Sequence, residues 1–254
     1  MKTQKKVLQV FLLSIFTLLI LLNNVNANSK DKIEIKKMAY RAYLMNSENL
    51  WKEVIKHQKE INRNETDDFE KLLNLSFTQY GLLYSCVANK DEDTFDKYVD
   101  IADENVDKLI SLNEKNSQAH ALKASIYGLK MAFSPYMGMF YGAKSDMHIE
   151  KAIECNKNEP LAWIQKASSK LHTPKLFGGN ISEAIKYYKK AIELYETDKV
   201  EYNWHYIDAL AWLGISYQNA EMTEEAINTY KKALKIEPDF AWIKYVLLPK
   251  AEKK

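Results

Sequence analysis

Five histidines, two cysteines and one serine-bearing Gly-x-Ser turn are the places where chemistry could begin in this 254-residue chain. The histidines are His57, His120, His148, His172 and His205. No two of them stand four residues apart and no His-Glu-x-x-His occurs, so the sequence offers no zinc set. Gly214-Ile215-Ser216 lacks the second glycine that a nucleophile elbow needs. No glycine-rich phosphate loop is present. Each histidine therefore reads as structural or solvated, and the sequence predicts no metal, no cofactor and no enzyme. Asn64-Glu65-Thr66 and Asn180-Ile181-Ser182 match glycosylation tripeptides, which arise often by chance and carry little weight.

The elements that would position any site are helices. Gly 7 and Pro 5 are scarce, and 46% of residues are hydrophobic. Few breakers with abundant Ala, Leu, Lys and Glu favour helix throughout. Residues 1–27 have the anatomy of a secretory signal: Lys2, Lys5 and Lys6, the apolar run Val7–Leu22, then Val25-Asn26-Ala27 as a cleavage site. An uncleaved inner-membrane anchor is the alternative, although the run is shorter than the ~20 residues of a spanning helix. The first cysteine is Cys86, far from the run, which closes the lipoprotein route. Export to the periplasm or medium is the expectation, with the membrane met only through an uncleaved signal. Residues 1–27 hold three lysines and no acid, so the remainder carries 33 basic against 34 acidic residues. Such a balance excludes nucleic acid as a partner, because that requires a concentrated basic surface.

Ala184-Ile-Lys-Tyr-Tyr-Lys-Lys-Ala191-Ile192 returns as Ala226-Ile-Asn-Thr-Tyr-Lys-Lys-Ala233-Leu234. Self-similarity of this kind marks a repeat array. Within the last unit Ile207, Leu210, Leu213, Gly214, Tyr217, Ala226, Tyr230, Ala233 and Pro238 recur at helical spacing. Gly214, Ala226 and Ala233 let two antiparallel helices approach closely, and the large residues fill the space between neighbouring pairs. Pro238 stops the second helix. The same frame extends backwards to give four units, 68–116, 117–158, 159–200 and 204–239. Residues 32–62 read as a degenerate hairpin with Ser47 as an N-cap, and 240–254 as a capping helix for the open apolar end.

This pattern resembles the tetratricopeptide repeat, a helix-turn-helix unit. The resemblance implies an all-α fold: an α-solenoid of stacked antiparallel helix pairs wound into a right-handed superhelix. Thr173-Pro174-Lys175-Leu176-Phe177-Gly178-Gly179 ahead of Glu183-Ala184, the Tyr-Gly pairs at 127–128 and 141–142, and Trp51 in the first hairpin sharpen it. They are similar to exported tetratricopeptide-repeat proteins of Bacteroidetes-type bacteria, whose roles are uncharacterised. The resemblance implies a concave face lined by first helices, with Thr78, Gln118, Ser125, Ile164, Ser168, His172, Asp208, Gln218 and Asn219 as candidate groove residues. The Lys/Asn/Arg carboxylate clamp of chaperone-binding members is not among them.

The units depart from regularity at one turn. Tyr217 to Ala226 takes nine steps, whereas Tyr84 to Ala102 and Tyr127 to Ser145 each take 18 and Lys170 to Ala184 takes 14. The excess at 89–94 is polar and reads as a helix start. The excesses at 133–142 and 173–180 are aromatic, Met-rich and Gly-punctuated, and should emerge side by side as loops. Tyr136, Met137, Met139, Phe140, Tyr141, Pro174, Phe177, Gly178 and Gly179 are the candidate binding residues there. Such loops either pack to close the edge or bind a partner. The expected function is an interaction scaffold for a protein or peptide. A binder of small lipophilic solutes, loosely resembling a helical-repeat accessory component of TRAP transporters, is the alternative. In this register Cys86 and Cys155 fall at opposite helix ends, roughly 20 Å apart, beyond the ~7 Å that a disulfide tolerates. Two unpaired, mostly buried thiols are expected.

Overall fold

Short polar side chains write the helix starts. In the computed structural model, which describes residues 30–253, α1 spans 30–44. The predicted signal at 1–27 lies outside the described residues. Ser47 caps α2 (Glu48–Ile61), its Oγ accepting from the Leu50 N–H at 3.3 Å. Asp67 caps α3 (Asp68–Asn89), Asp91 caps α4 (Glu92–Leu112) and Asn116 caps α5 (Ser117–Phe133). After a 3-10 turn at Pro135–Met137 comes α6 (Gly138–Cys155). Glu159 caps α7 (Pro160–His172), whose leading Pro160 loses no helical hydrogen bond. A second 3-10 turn, Lys175–Phe177, precedes α8 (Ile181–Tyr195), capped by Asn180. Asn203 caps α9 (Trp204–Asn219), and α10 (Thr223–Ile236) follows. A π-helical turn, Ile243–Leu247, leads into α11 (Leu248–Glu252). Each cap satisfies N–H groups that a helix start would leave without partners.

The helices pack as consecutive hairpins, α3 with α4, α5 with α6, α7 with α8 and α9 with α10. Helices α3, α5, α7 and α9 line up as an inner row, and each outer helix hands on to the next inner one. This is an all-α solenoid. Ala124, Ala152, Ala167, Ala184, Ala191, Ala226 and Ala233 are fully buried, as close helix approach demands. A Cβ on Gly214 would overlap the Tyr230 ring, and one on Gly81 would overlap the ring of Trp51. Trp51, Tyr188 and Tyr230 are among the largest fully buried side chains. Removing one such ring costs about 3–5 kcal/mol.

Of the two expected loops, one is mostly helix, and the polar excess at 89–94 is the start of a helix. The excess around 89–94 is absorbed by helix length, 22 residues in α3 and 21 in α4. A tight reversal joins them: Lys90 is left-handed, and the Asp91 N–H reaches the Cys86 carbonyl at 2.9 Å. Between α5 and α6 only Ser134–Met137 interrupts the helices, and Met139, Phe140 and Tyr141 belong to the start of α6. Pro135 opens a single 3-10 turn, and Gly138 and Gly142 then stay helical. The third segment, 173–180, is a genuine turn. Gly178 sits at φ 97, whereas Gly179 does not have positive φ. Gly179 is required sterically, since a Cβ there would strike the Thr173 carbonyl.

No helix among the described residues is long and apolar enough to cross a membrane. Both cysteines are free thiols. Cys86 is buried at the α3 C-terminus and Cys155 is half-buried at the end of α6. Burial, reinforced by Glu48 and Asp91, pushes the Cys86 thiol up to about 12. In native protein at pH 8, a thiol reagent should label Cys155 and spare Cys86, with both reacting in denaturant. Equal native labelling rates would contradict this packing.

Candidate functional site

Two turns, between α5 and α6 and between α7 and α8, carry exposed large apolar side chains. Helices α6 and α7 run antiparallel: Ser169 Oγ donates to Asp146 at 3.0 Å, and Lys166 pairs with Glu150 at 2.8 Å. At the turns Met139 is 85%, Leu176 88% and Phe177 76% exposed, with Tyr136 and Phe140 also well exposed. Pro174 and Gly178 are exposed, and Met137, Tyr141 and Gly179 are half-buried. Tyr141 stacks on Tyr127 with centroids 4.9 Å apart, and Lys130 Nζ lies 5.3 Å from its ring. Tyr141 therefore packs, while its neighbours project. Leu176 was not singled out from the sequence, although it stands in the same segment as Phe177.

The second turn is held by its own backbone. The Gly179 N–H reaches the Pro174 carbonyl at 3.2 Å, and the Asn180 N–H reaches that of Lys170 at 2.9 Å. Lys170 Nζ donates to the Gly178 carbonyl at 3.2 Å and pairs with Glu183 at 3.0 Å. The apolar tips thus stand on a fixed base.

The expected open groove is partly filled. Thr78, Ser125, Ile164 and Asp208 are buried. Only Gln118, Ser168 and Gln218 are partly accessible, and His172 and Asn219 exposed. The filling comes from the first hairpin, which folds back onto the last repeat. Tyr43 of α1 donates to Asp208 of α9 at 2.8 Å across 165 residues. Tyr84 of α3 donates to the same oxygen at 2.7 Å, and Trp212 Nε1 donates to Tyr84 at 2.9 Å. Trp204 packs against Tyr43, Trp51, Tyr80 and Tyr84.

The structure also joins groups that spacing kept apart. His120 of α5 and His148 of α6 approach through their Nδ1 atoms at 2.9 Å. Beside them, buried Lys123 binds Asp103 and Asp107 at 2.6 Å each, and Lys130 also binds Asp103 at 2.6 Å. Burial pushes Asp103 up, but both lysines outweigh it and hold the carboxyl below its ordinary range. Elsewhere Glu48, Cys86 and Asp91 converge. Their chemistry is already used: Glu48 accepts from Asn89, Asp91 caps α4, and the thiol keeps its proton.

Residues 207–240 and 176–198 match the tetratricopeptide repeat. No curated protein sequence is significantly similar to the chain. Among solved structures it is similar to the HusA haemophore from Porphyromonas gingivalis, at TM-score 0.59 and 20% identity over 74% of this chain and 93% of that one. It is also similar to TTC0263, a thermophilic tetratricopeptide-repeat protein of Thermus thermophilus, at TM-score 0.60 and 17% identity over 87% of this chain and 98% of that one. At these identities the likeness is one of fold.

Asp208 gives the filled groove a pH signature. Its carboxyl is 4% exposed and is faced by phenols, Tyr43 and Tyr84 in contact and Tyr80 and Tyr188 further off. Burial pushes it up from 3.8 to about 6, although hydrogen bonds from Tyr84, Tyr43 and Trp212 pull back. A raised folded-state value favours the protonated form. Its contribution to stability is complete below about pH 4 and is lost as pH rises through about 6. The change amounts to about 3 kcal/mol. Asp208→Asn should remove this dependence, so that wild type loses stability relative to the variant between pH 4.5 and 8. Chemical denaturation at both pH values measures it, and parallel profiles would contradict the assignment.

Proposed function

We propose that this tetratricopeptide-repeat stack is an exported binding protein that captures a protein or peptide partner through the edge formed by the α5–α6 and α7–α8 turns. The observation that carries this reading is the exposure of five large apolar side chains, Tyr136, Met139, Phe140, Leu176 and Phe177, at the α5–α6 and α7–α8 turns. Contiguous exposed apolar surface marks interaction sites, and aromatic and Met side chains make adaptable anchors. The inner face contributes at most its accessible rim, Gln118, Ser168, His172, Gln218 and Asn219. Export rests on the residue pattern of 1–27. Binding, rather than catalysis, is the reading that the edge supports.

A second reading is capture of a flat lipophilic ligand on the same edge. The fold likeness to a haemophore makes haem the first ligand to test, and Met139, Phe140 and Phe177 stand out into solvent where such a ligand could lie.

The paired variant Leu176→Ser/Phe177→Ser should reduce partner capture from the cell envelope at least tenfold while leaving helical content unchanged. Both side chains are exposed and support no core, so circular dichroism should overlay wild type. Undiminished capture would remove the edge from the binding site. Haemin titration of the same pair separates the readings, since only the second predicts weaker haemin binding.

A further inference from the structure

We infer that α1 is a gate: the helix detaches as a unit from the inner face, pivoting on the turn at 45–47, and leaves the repeat stack in place. The pivot is fixed. Asn46 is left-handed at φ 44, and the N–H groups of Asn46 and Ser47 close the end of α1 on the carbonyls of Tyr43 and Ala42 at 3.0 and 3.1 Å. Ser85 Oγ donates to the Asn46 side chain at 3.2 Å, and Asn89 Nδ2 donates to the Asn46 carbonyl at 2.9 Å. The turn is thus tied to the end of α3.

Beyond the pivot α1 is held by little. Ala39, Tyr40, Ala42 and Tyr43 are its buried side chains, and residues 30–38 are exposed or half-buried. Apart from Tyr84 of α3, the rings they meet belong to the far end of the chain. Tyr40 packs on Tyr202 with centroids 6.0 Å apart, and Tyr43 on Trp204 at 5.2 Å and Phe240 at 5.6 Å. Each successive pair from α2 and α3 to α9 and α10 packs directly, so the stack is continuous without α1. A helix of about 15 residues is marginal in water on its own. Released from its seat, α1 therefore loses its order in one piece.

The polar contact at the seat survives opening. Tyr43 and Tyr84 both donate to Asp208 Oδ1, at 2.8 and 2.7 Å. When α1 leaves, Asp208 keeps the Tyr84 hydrogen, and water replaces each partner in the broken Tyr43 bond. Trp212 still donates to Tyr84 at 2.9 Å. Opening strands no polar group of this set. What opposes it is apolar, the contact of Tyr43 with Trp204 and Phe240, and that contact keeps the closed state dominant. The gate controls the inner face and is independent of the edge at the two turns.

Hydrogen exchange on the full wild-type chain reads the gate directly. Amides of residues 34–44 should share one rate, at least tenfold faster than that of α9. Tyr43→Phe keeps the ring and removes one donor; it should speed these amides severalfold and leave α5 to α8 unchanged. The second probe is a synthetic peptide of residues 30–45. It should bind the Tyr40→Ala/Tyr43→Ala chain at least tenfold more tightly than wild type, because the seat is then free. A graded rise in rate from residue 44 to residue 34 is simple fraying and would overturn the gate, as would exchange of α1 at the α9 rate. Absence of peptide binding by the double variant, or loss of its repeat helices by circular dichroism, would make α1 part of the core and overturn it too. The wild-type exchange pattern needs no variant and decides the case alone.

Discussion

Asp208 is the point on which the architecture turns. A repeat stack is held by contacts between neighbours and has no intrinsic need to close. Here one carboxylate accepts phenolic hydrogens from α1 and α3 while standing on α9. A buried carboxylate with no cation beside it is expensive, and it persists only where hydrogen bonds replace lost water. Tyr43 and Tyr84 provide that replacement, and Trp212 orients Tyr84 in turn. The surrounding rings of Trp51, Tyr80 and Trp204 supply the apolar contact that makes the polar centre tolerable. The result is a solenoid whose first hairpin plugs its own concave face.

That closure changes which surfaces stay accessible. An open array presents its inner helices to a ligand, but these inner helices present themselves to α1. On the proposed reading the partner meets the edge, where large apolar side chains of the two turns stand exposed. Backbone hydrogen bonds and Lys170 fix the second turn, and Tyr141 anchors the base of the first on Tyr127. Leu176 and Met139 are thus held out on a base that is already ordered. A binding surface whose backbone is fixed beforehand gives up little chain entropy on association.

The repeat frame was legible because it is written in volume. Ala184, Ala191, Ala226 and Ala233 recur since nothing larger fits between the paired helices, and all four are fully buried. Gly214 is legible for the same reason, with Tyr230 covering it. The plug was not legible. Tyr40 and Tyr43 carry no repeat signature, and Tyr43 meets Asp208 across 165 residues, where no local pattern reaches. The interval from Tyr127 to Ser145 reads as a loop because step counts do not separate a longer helix from an inserted turn, whereas the polar residues at 89–94 mark the start of α4. Gly138 and Gly142 read as breakers, yet Pro135 confines the break to one 3-10 turn and both glycines continue α6.

The histidines show the same limit from the chemical side. Spacing within one helix finds pairs at i and i+4, but His120 and His148 meet across two helices because α5 and α6 form one hairpin. The hairpin places facing residues at separations set by the turn, and the Pro135 turn sets this one. Glu114, just before α5, then decides the tautomer of His120 through a backbone carbonyl that no sequence motif records. The placement of the pair thus descends from three local facts: a turn, a hairpin and one carbonyl. A one-residue change in the Ser134–Met137 turn would rotate α6 by roughly 100° of helical phase, separate the rings and turn Ile149 and Ala152 away from the core. The register that joins the two histidines is therefore the same one that buries Ile149 and Ala152 against α5 and α7.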